Sequence, residues 1–291
     1  MTKVALVTDS TTHLPKKYMQ QYGIREIPAT IIWSGQVLRD GVDIQPDEFY
    51  NRLSTAHEMP GTSQPSPIAV KETFDELLAE GFDILAIFIS QKLSGTFASA
   101  QQALAMLPGE NIEVIDSRTG SMGAGWPILT AARAAAEGAG LAECKYIAQK
   151  ALDHVGILLV VDTLEFLHRG GRIGRAQRFL GSALNLKPIL EVADGEFIPL
   201  ERVRTRRKAF DRLLELLEEY IGGRSPVHLA VLHANALDNA QELHEQAAAR
   251  VNPVETLIAE VSPAVGAHLG PGTVGFAFMA GIEPRTPGPT R

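Results

Sequence analysis

A chain of 291 residues is roughly twice the length of a common single domain, so two domains or one large α/β unit are the starting expectations. Apolar residues make up 45% and charged residues 21%, a globular composition that excludes disordered and fibrous classes. The net charge of −7 disfavours nonspecific attraction to nucleic acid or anionic lipid, since both depend on clustered cations.

The opening segment, MTKVALVTDS, has an apolar run too short for a signal-peptide core and no small-residue cleavage site. Val4 to Val7 reads as a strand that leads into Asp9-Ser10-Thr11-Thr12. A shorter strand is expected at Ile27 to Ile32, joining the same sheet. The polar stretch Gly61-Thr62-Ser63-Gln64-Pro65-Ser66 reads as the N-cap region of a helix from Pro67 to Ala79. Ile84 to Ile89 then leads into Ser94-Gly95-Thr96, and Ile112 to Ile115 into Asp116-Ser117-Arg118-Thr119, each loop opening a helix. Repetition of strand, hydroxyl-rich loop and helix is the pattern of βα units and a parallel sheet. Gly120 to Gly125 has its glycines in the wrong order for a dinucleotide fingerprint and reads as a flexible turn. Cys144, in a predicted helix, is the only cysteine; it leaves no internal disulfide or cysteine-built metal cluster and suits a reducing, cytoplasmic compartment.

The pattern changes after a helix that ends near Leu152. Val155 to Val161 is apolar but much shorter than the roughly 20 residues a membrane span needs. Ile189 to Val192 and Phe197 to Val203, joined through Asp194-Gly195, form a predicted hairpin, so antiparallel pairing enters here. A helix from about Lys208 to Ile221, a strand at His228 to Leu232, a helix from Asn239 to Arg250, and strands at Glu255 to Glu260 and Val274 to Met279 complete a mixed α/β half. The expected organisation is a parallel-sheet domain at 1–153, a mixed-sheet domain at 154–282 and a disordered, proline-dense tail at 283–291.

Ligands of open α/β sheets bind where strands end and helices begin, and a helix N-terminus offers unpaired N–H groups to an anion. Thr62 and Ser63, and likewise Ser94 and Thr96, are therefore either plain N-caps or parts of an anion cradle. Lys92-Leu93-Ser94-Gly95-Thr96 lacks the Gly-x-Ser-x-Gly spacing of a nucleophile elbow, and no P-loop is present. No pair of histidines has zinc-site spacing. His268 lies in Gly266-Ala267-His268-Leu269-Gly270-Pro271-Gly272, read as a glycine-rich loop; it is either a surface histidine or a ligand contact that donates a hydrogen bond and, if protonated, adds charge. Arg169, Arg172, Arg175 and Arg178 at spacing three, and Arg202, Arg204, Arg206, Arg207 and Lys208, read as a solvated helix face or a docking surface for an acidic or phosphate-bearing partner.

Taken in order, Thr8-Asp9-Ser10-Thr11, Thr62-Ser63-Gln64-Pro65-Ser66-Pro67, Leu93-Ser94-Gly95-Thr96, Gly171-Arg172-Ile173, Lys187-Pro188-Ile189 and Arg204-Thr205-Arg206 make the chain resemble the DegV family, from about residue 3 to residue 282. The resemblance implies an N-terminal Rossmann-like parallel sheet in an α/β/α arrangement, a C-terminal mixed-sheet α/β domain, and a long-chain fatty acid bound between them. It further implies that Thr62, Ser94 and His268 hold the lipid carboxyl, with Ser63, Gly95 and Thr96 as neighbours. The chain would then be no enzyme by itself and need no cofactor; it would present its lipid to a separate ATP-binding fatty-acid kinase subunit that makes an acyl phosphate, with Arg172 and Arg204 in docking. The rival from the residues alone is a serine hydrolase with Ser94 as nucleophile and His268 as base.

Overall fold

The computed structural model of the chain describes residues 3–180 and 186–282. The segment 283–291, expected to be disordered, lies outside the described residues. Strand β1 (Lys3–Asp9) is buried along all but its first residue and runs into a single 3-10 turn at Ser10–Thr12. Asp9 caps that turn, its carboxylate accepting the Thr11 N–H at 2.9 Å. After α1 (Lys16–Tyr22), the single strand expected at Ile27 to Ile32 is two strands that part at Pro28-Ala29. β2 (Arg25–Ile27) pairs parallel with β1, whereas β3 (Thr30–Trp33) pairs antiparallel with β4 (Gln36–Arg39) and, beyond α2 (Pro46–Ser54), with β5 (Gly61–Ser63). A proline at the break has no N–H for either ladder. Part of the expected Gly61–Ser66 loop is thus a strand.

α3 (Pro67–Ala79) begins where the sequence indicates, with Ser66 accepting the Ala69 N–H at 3.1 Å and Pro67 in the first turn, where a missing donor is harmless. β6 (Phe82–Phe88), α4 (Thr96–Ala105) and β7 (Ile112–Asp116) complete a parallel sheet in the order β2-β1-β6-β7. The glycine stretch at 120–125 is no flexible turn. It enters α5 (Ser121–Ala136), whose first residues are buried. A side chain at Gly123 would come within 2.8 Å of Ile157, so small residues there let the helix approach its neighbours closely. α6 (Leu141–Leu152) follows and buries Cys144.

The remaining elements build a six-stranded sheet. β8 (Val155–Val160) and the short α7 (Glu165–Arg169) precede the hairpin of β9 (Lys187–Ala193) and β10 (Glu196–Val203). Asp194 at φ 51° and Gly195 at φ 80° give the two left-handed residues a tight hairpin needs. α8 (Arg206–Ile221) is capped by Thr205, which accepts the Lys208 N–H, and ends on Gly222 at φ 59°. β11 (Val227–His233), α9 (Leu237–Val251), β12 (Glu255–Glu260), α10 (Pro263–Leu269) and β13 (Val274–Ala280) close the chain. The sheet order is β10-β9-β8-β13-β11-β12, with only β11 and β12 parallel. No described helix is long and apolar enough to cross a membrane.

The two sheets share a core between them, and each has a further cluster of its own under helices α3 and α4 or α8 and α9. α5 packs on β1 and β6 from one side and on β8 and β13 from the other, and Trp126, 1% exposed, donates its indole N–H to the Ala277 carbonyl at 3.1 Å. A single hydrophobic cluster runs from Leu6 and Leu85 to Leu159, Leu190 and Ala277. At the carboxyl edge of the parallel sheet, Ser90 donates to the carbonyl of Gly195 at the hairpin tip at 2.8 Å, and α10 packs on α2, β3 and β5. These contacts bring the second half of the chain over the strand ends of the first.

Candidate functional site

An apolar cavity with about 560 Å³ of empty space, its open mouth included, lies at this edge. The turn after β1 contributes Thr11, β5 and the residue after it contribute Thr62, Ser63 and Gln64, and the loop after β6 contributes Ile89, Leu93 and Ser94. From the other half come Phe197 of β10, Arg172 beyond α7, and Val265, His268 and Leu269 of α10. Carbon forms most of the wall, and the polar groups gather on Thr62, Ser63, Gln64, Ser94, Arg172 and His268.

Helix α10 is held from outside itself. Asp40, 0% exposed, accepts the Ser10 hydroxyl at 2.6 Å on one oxygen and the Ala264 N–H at 3.2 Å on the other. Burial pushes that carboxyl up to about 6. His268 therefore sits in the last turn of a helix, not in the glycine-rich loop expected from the sequence. Its Nε2 lies 2.7 Å from the Thr62 hydroxyl on β5, which joins two residues 206 positions apart.

Burial, and secondarily the positive Arg172, lowers His268 from 6.5 to about 4, so the ring is neutral at pH 7 and adds no charge there. Because the folded state depresses this pKa, the stabilisation it carries is complete above 6.5 and is lost as pH falls toward 4. A nitrogen-15 NMR titration of the His268 ring should show a neutral imidazole at pH 6 and a midpoint near 4; a midpoint near 6.5 would contradict the burial.

Ser94 and Thr96 share a hydrogen bond of 2.9 Å between hydroxyls, and the Thr96 N–H points to the Ser94 oxygen at 3.3 Å. Ser94 thus belongs both to the start of α4 and to the cavity wall, whereas Thr96, 1% exposed, does not line the cavity. A side chain at Gly95 would lie 2.8 Å from the Gln64 amide, so that glycine lets Gln64 close over the loop. Thr62 and Ser63 are on a strand, so no helix N-terminus lies at them as the sequence reading expected. Among the described residues the Ser94 hydroxyl pairs with Thr96 and the His268 ring with Thr62, and no hydrogen bond links Ser94 to His268. The nucleophile–base pair of the hydrolase reading is not assembled.

The arginines separate. Arg172, expected on a docking face, turns inward: its Nε donates to the Leu93 carbonyl at 3.0 Å and Nη1 to the Gly170 carbonyl at 2.8 Å, leaving other N–H groups of the fork for the cavity. It is the sole Lys or Arg lining the cavity among the described residues. Arg169 pairs with Glu165, Arg175 with Glu196, and Arg178 donates to the Pro199 carbonyl, because α7 stops at Arg169 and no continuous helix aligns the four. Arg204 is exposed just past β10 and outside the cavity. Gln64 and Thr11 were absent from the sequence-derived site, although both stand inside motifs that pointed to it. Among the described residues no group of His, Cys, Asp and Glu could hold a metal ion.

A parallel sheet whose carboxyl edge is covered by a mixed sheet, with an apolar cavity rimmed by hydroxyls, a neutral imidazole and one guanidinium, defines an α/β protein able to receive an apolar molecule with one anionic group. The chain belongs to the DegV family: the profile described as "Uncharacterised protein, DegV family COG1307" matches residues 3–281. A DegV domain-containing protein of Halalkalibacterium halodurans is 36% identical over 286 residues, covering 96% of this chain and 99% of the relative. Among solved structures, a fatty-acid-binding DegV family protein from Thermus thermophilus superposes with a TM-score of 0.91 at 35% identity, covering 96% of this chain and 99% of that one. DegV of Bacillus subtilis, described as a fatty acid binding protein, does so with a TM-score of 0.87 at 32% identity, covering 96% and 100%.

Proposed function

We propose that this chain is a cytoplasmic fatty-acid carrier that holds a long-chain acyl tail in the apolar cavity, keeps the carboxylate at Thr62, Ser94, Arg172 and His268, and presents it to an ATP-binding kinase subunit for acyl-phosphate formation. The observation that carries the reading is the gathering of a guanidinium and neutral donors on the rim of an otherwise apolar cavity. The fatty-acid binding of the Thermus thermophilus and Bacillus subtilis relatives supports it. At about 0.8 kcal/mol per methylene, a tail of some 14 methylenes contributes on the order of 11 kcal/mol of gross transfer energy. That sum leaves room for tight binding after translational and ordering costs. A carboxylate beside apolar walls is tolerated only where donors meet it, which the guanidinium and the hydroxyls do, with the imidazole holding the Thr62 hydroxyl in place.

Organic extraction of the purified chain followed by mass spectrometry should return fatty acid in near-equimolar yield. An extract without lipid, from a chain that also takes up no added palmitic acid, would end the reading. The kinase step has its own test. Arg204→Glu, with the exposed charge reversed outside the cavity, should weaken complex formation with the ATP-binding subunit while lipid content stays at the wild-type level; undiminished complex formation would remove Arg204 from the docking surface.

A further inference from the structure

Gly170 follows α7 with φ −75° and ψ −6°, a right-handed conformation open to any residue, so the backbone makes no demand for glycine there. Space does. A Cβ on Gly170 would lie 2.1 Å from Nδ1 and 2.8 Å from Cε1 of the His268 ring. That Nδ1 is buried and has no hydrogen-bond partner, while Nε2 faces Thr62 at 2.7 Å. The carbonyl of the same Gly170 accepts the Arg172 guanidinium at 2.8 Å.

We propose that Gly170 is a positioning residue for the anionic headgroup of the ligand, resting on the fatty-acid reading: its bare Cα seats the His268 ring, and its carbonyl anchors Arg172. The seat also selects a tautomer. A proton on Nδ1 would be a buried N–H with nothing to meet it, and orphaned buried N–H groups are rarer than orphaned acceptors. The proton is on Nε2, which donates to the Thr62 oxygen. The Thr62 hydroxyl hydrogen is then free to donate into the cavity, so a neutral imidazole orders a donor without carrying charge.

The test uses the full chain in four forms: wild type, Gly170→Ala, His268→Ala and the double variant. Nitrogen-15 NMR of the wild-type ring should show Nε2 protonated and Nδ1 bare; a ring protonated on Nδ1 overturns the tautomer and the seat with it. Gly170→Ala should rotate the ring off Thr62, change both ring-nitrogen signals and weaken palmitic acid binding about tenfold, the loss expected of one ordered hydrogen bond. Added to His268→Ala, the same change should cost no further affinity, because the ring it collides with is gone. An equal loss in both backgrounds, or a Gly170→Ala chain that fails to fold with and without His268, overturns the proposal. Wild-type chain that binds no palmitic acid sinks the fatty-acid reading instead, while the ring signals still judge the seat. Wild-type binding with an undiminished Gly170→Ala variant sinks the seat and leaves that reading standing.

Discussion

Arg172→Met is expected to weaken palmitic acid binding by about tenfold to a hundredfold, through loss of charge-assisted hydrogen bonding of roughly 1.5–3 kcal/mol, while binding of the uncharged alcohol hexadecanol stays within about twofold. The reasoning begins with the neutral His268. With that ring uncharged at pH 7, Arg172 is the cation left to face a carboxylate in the cavity among the described residues. Methionine keeps an apolar stem of similar reach along the wall, so the comparison isolates the guanidinium. Lysine would be a poor substitute, since the fork also ties the Leu93 and Gly170 carbonyls, from separate segments of the chain, and a single ammonium cannot reproduce that geometry. Calorimetric titration of both ligands decides the matter. Equal weakening for acid and alcohol would mean that the wall has shifted, and unchanged acid binding would take the guanidinium out of headgroup recognition.

Trp126→Ala should lower the unfolding free energy by about 3–5 kcal/mol, the range for removing a large buried aromatic. The loss should also be felt in both sheets at once. The indole sits in α5 between them and hydrogen-bonds β13, and the cluster around it is continuous from Leu6 to Ala277. We propose that 1–153 and 154–282 are lobes of the topology joined in one cooperative unit. Urea unfolding followed by hydrogen exchange at amides of β6 and of β13 tests this. Both sets should share one midpoint in the wild type and shift together in the variant; a midpoint that moves for one sheet alone would make the lobes independent.

Where sequence reading succeeded, the signal was local and chemically one-sided. Ser66-Pro67 could start a helix in only one place, Asp194-Gly195 could make a tight turn between apolar runs, and Ile84 to Ile89 was too short and too β-branched for anything but a buried strand. Ile27 to Ile32 failed because a run of apolar residues does not say which sheet each half joins; the partners of β3 come from residues 36–39 and 61–63. Gly120 to Gly125 failed because glycine's local preference for turns gave way to the packing of α5 against β8 and β13.

The sequence by itself determined the alternation of strands and helices, the switch from parallel to antiparallel pairing, the family, and the polar motifs that line one sheet edge. Only the tertiary structure decided what those motifs do. Helix α10 rests on a buried Asp40 more than two hundred positions away, Gly266 within it leaves room for the Tyr50 hydroxyl, and His268 meets Thr62 across the two halves of the chain. The charge on His268 and the inward turn of Arg172 depend on burial and on carbonyls supplied by other elements. Desolvation and long-range contacts are properties of the packed chain, and no local run of residues encodes them.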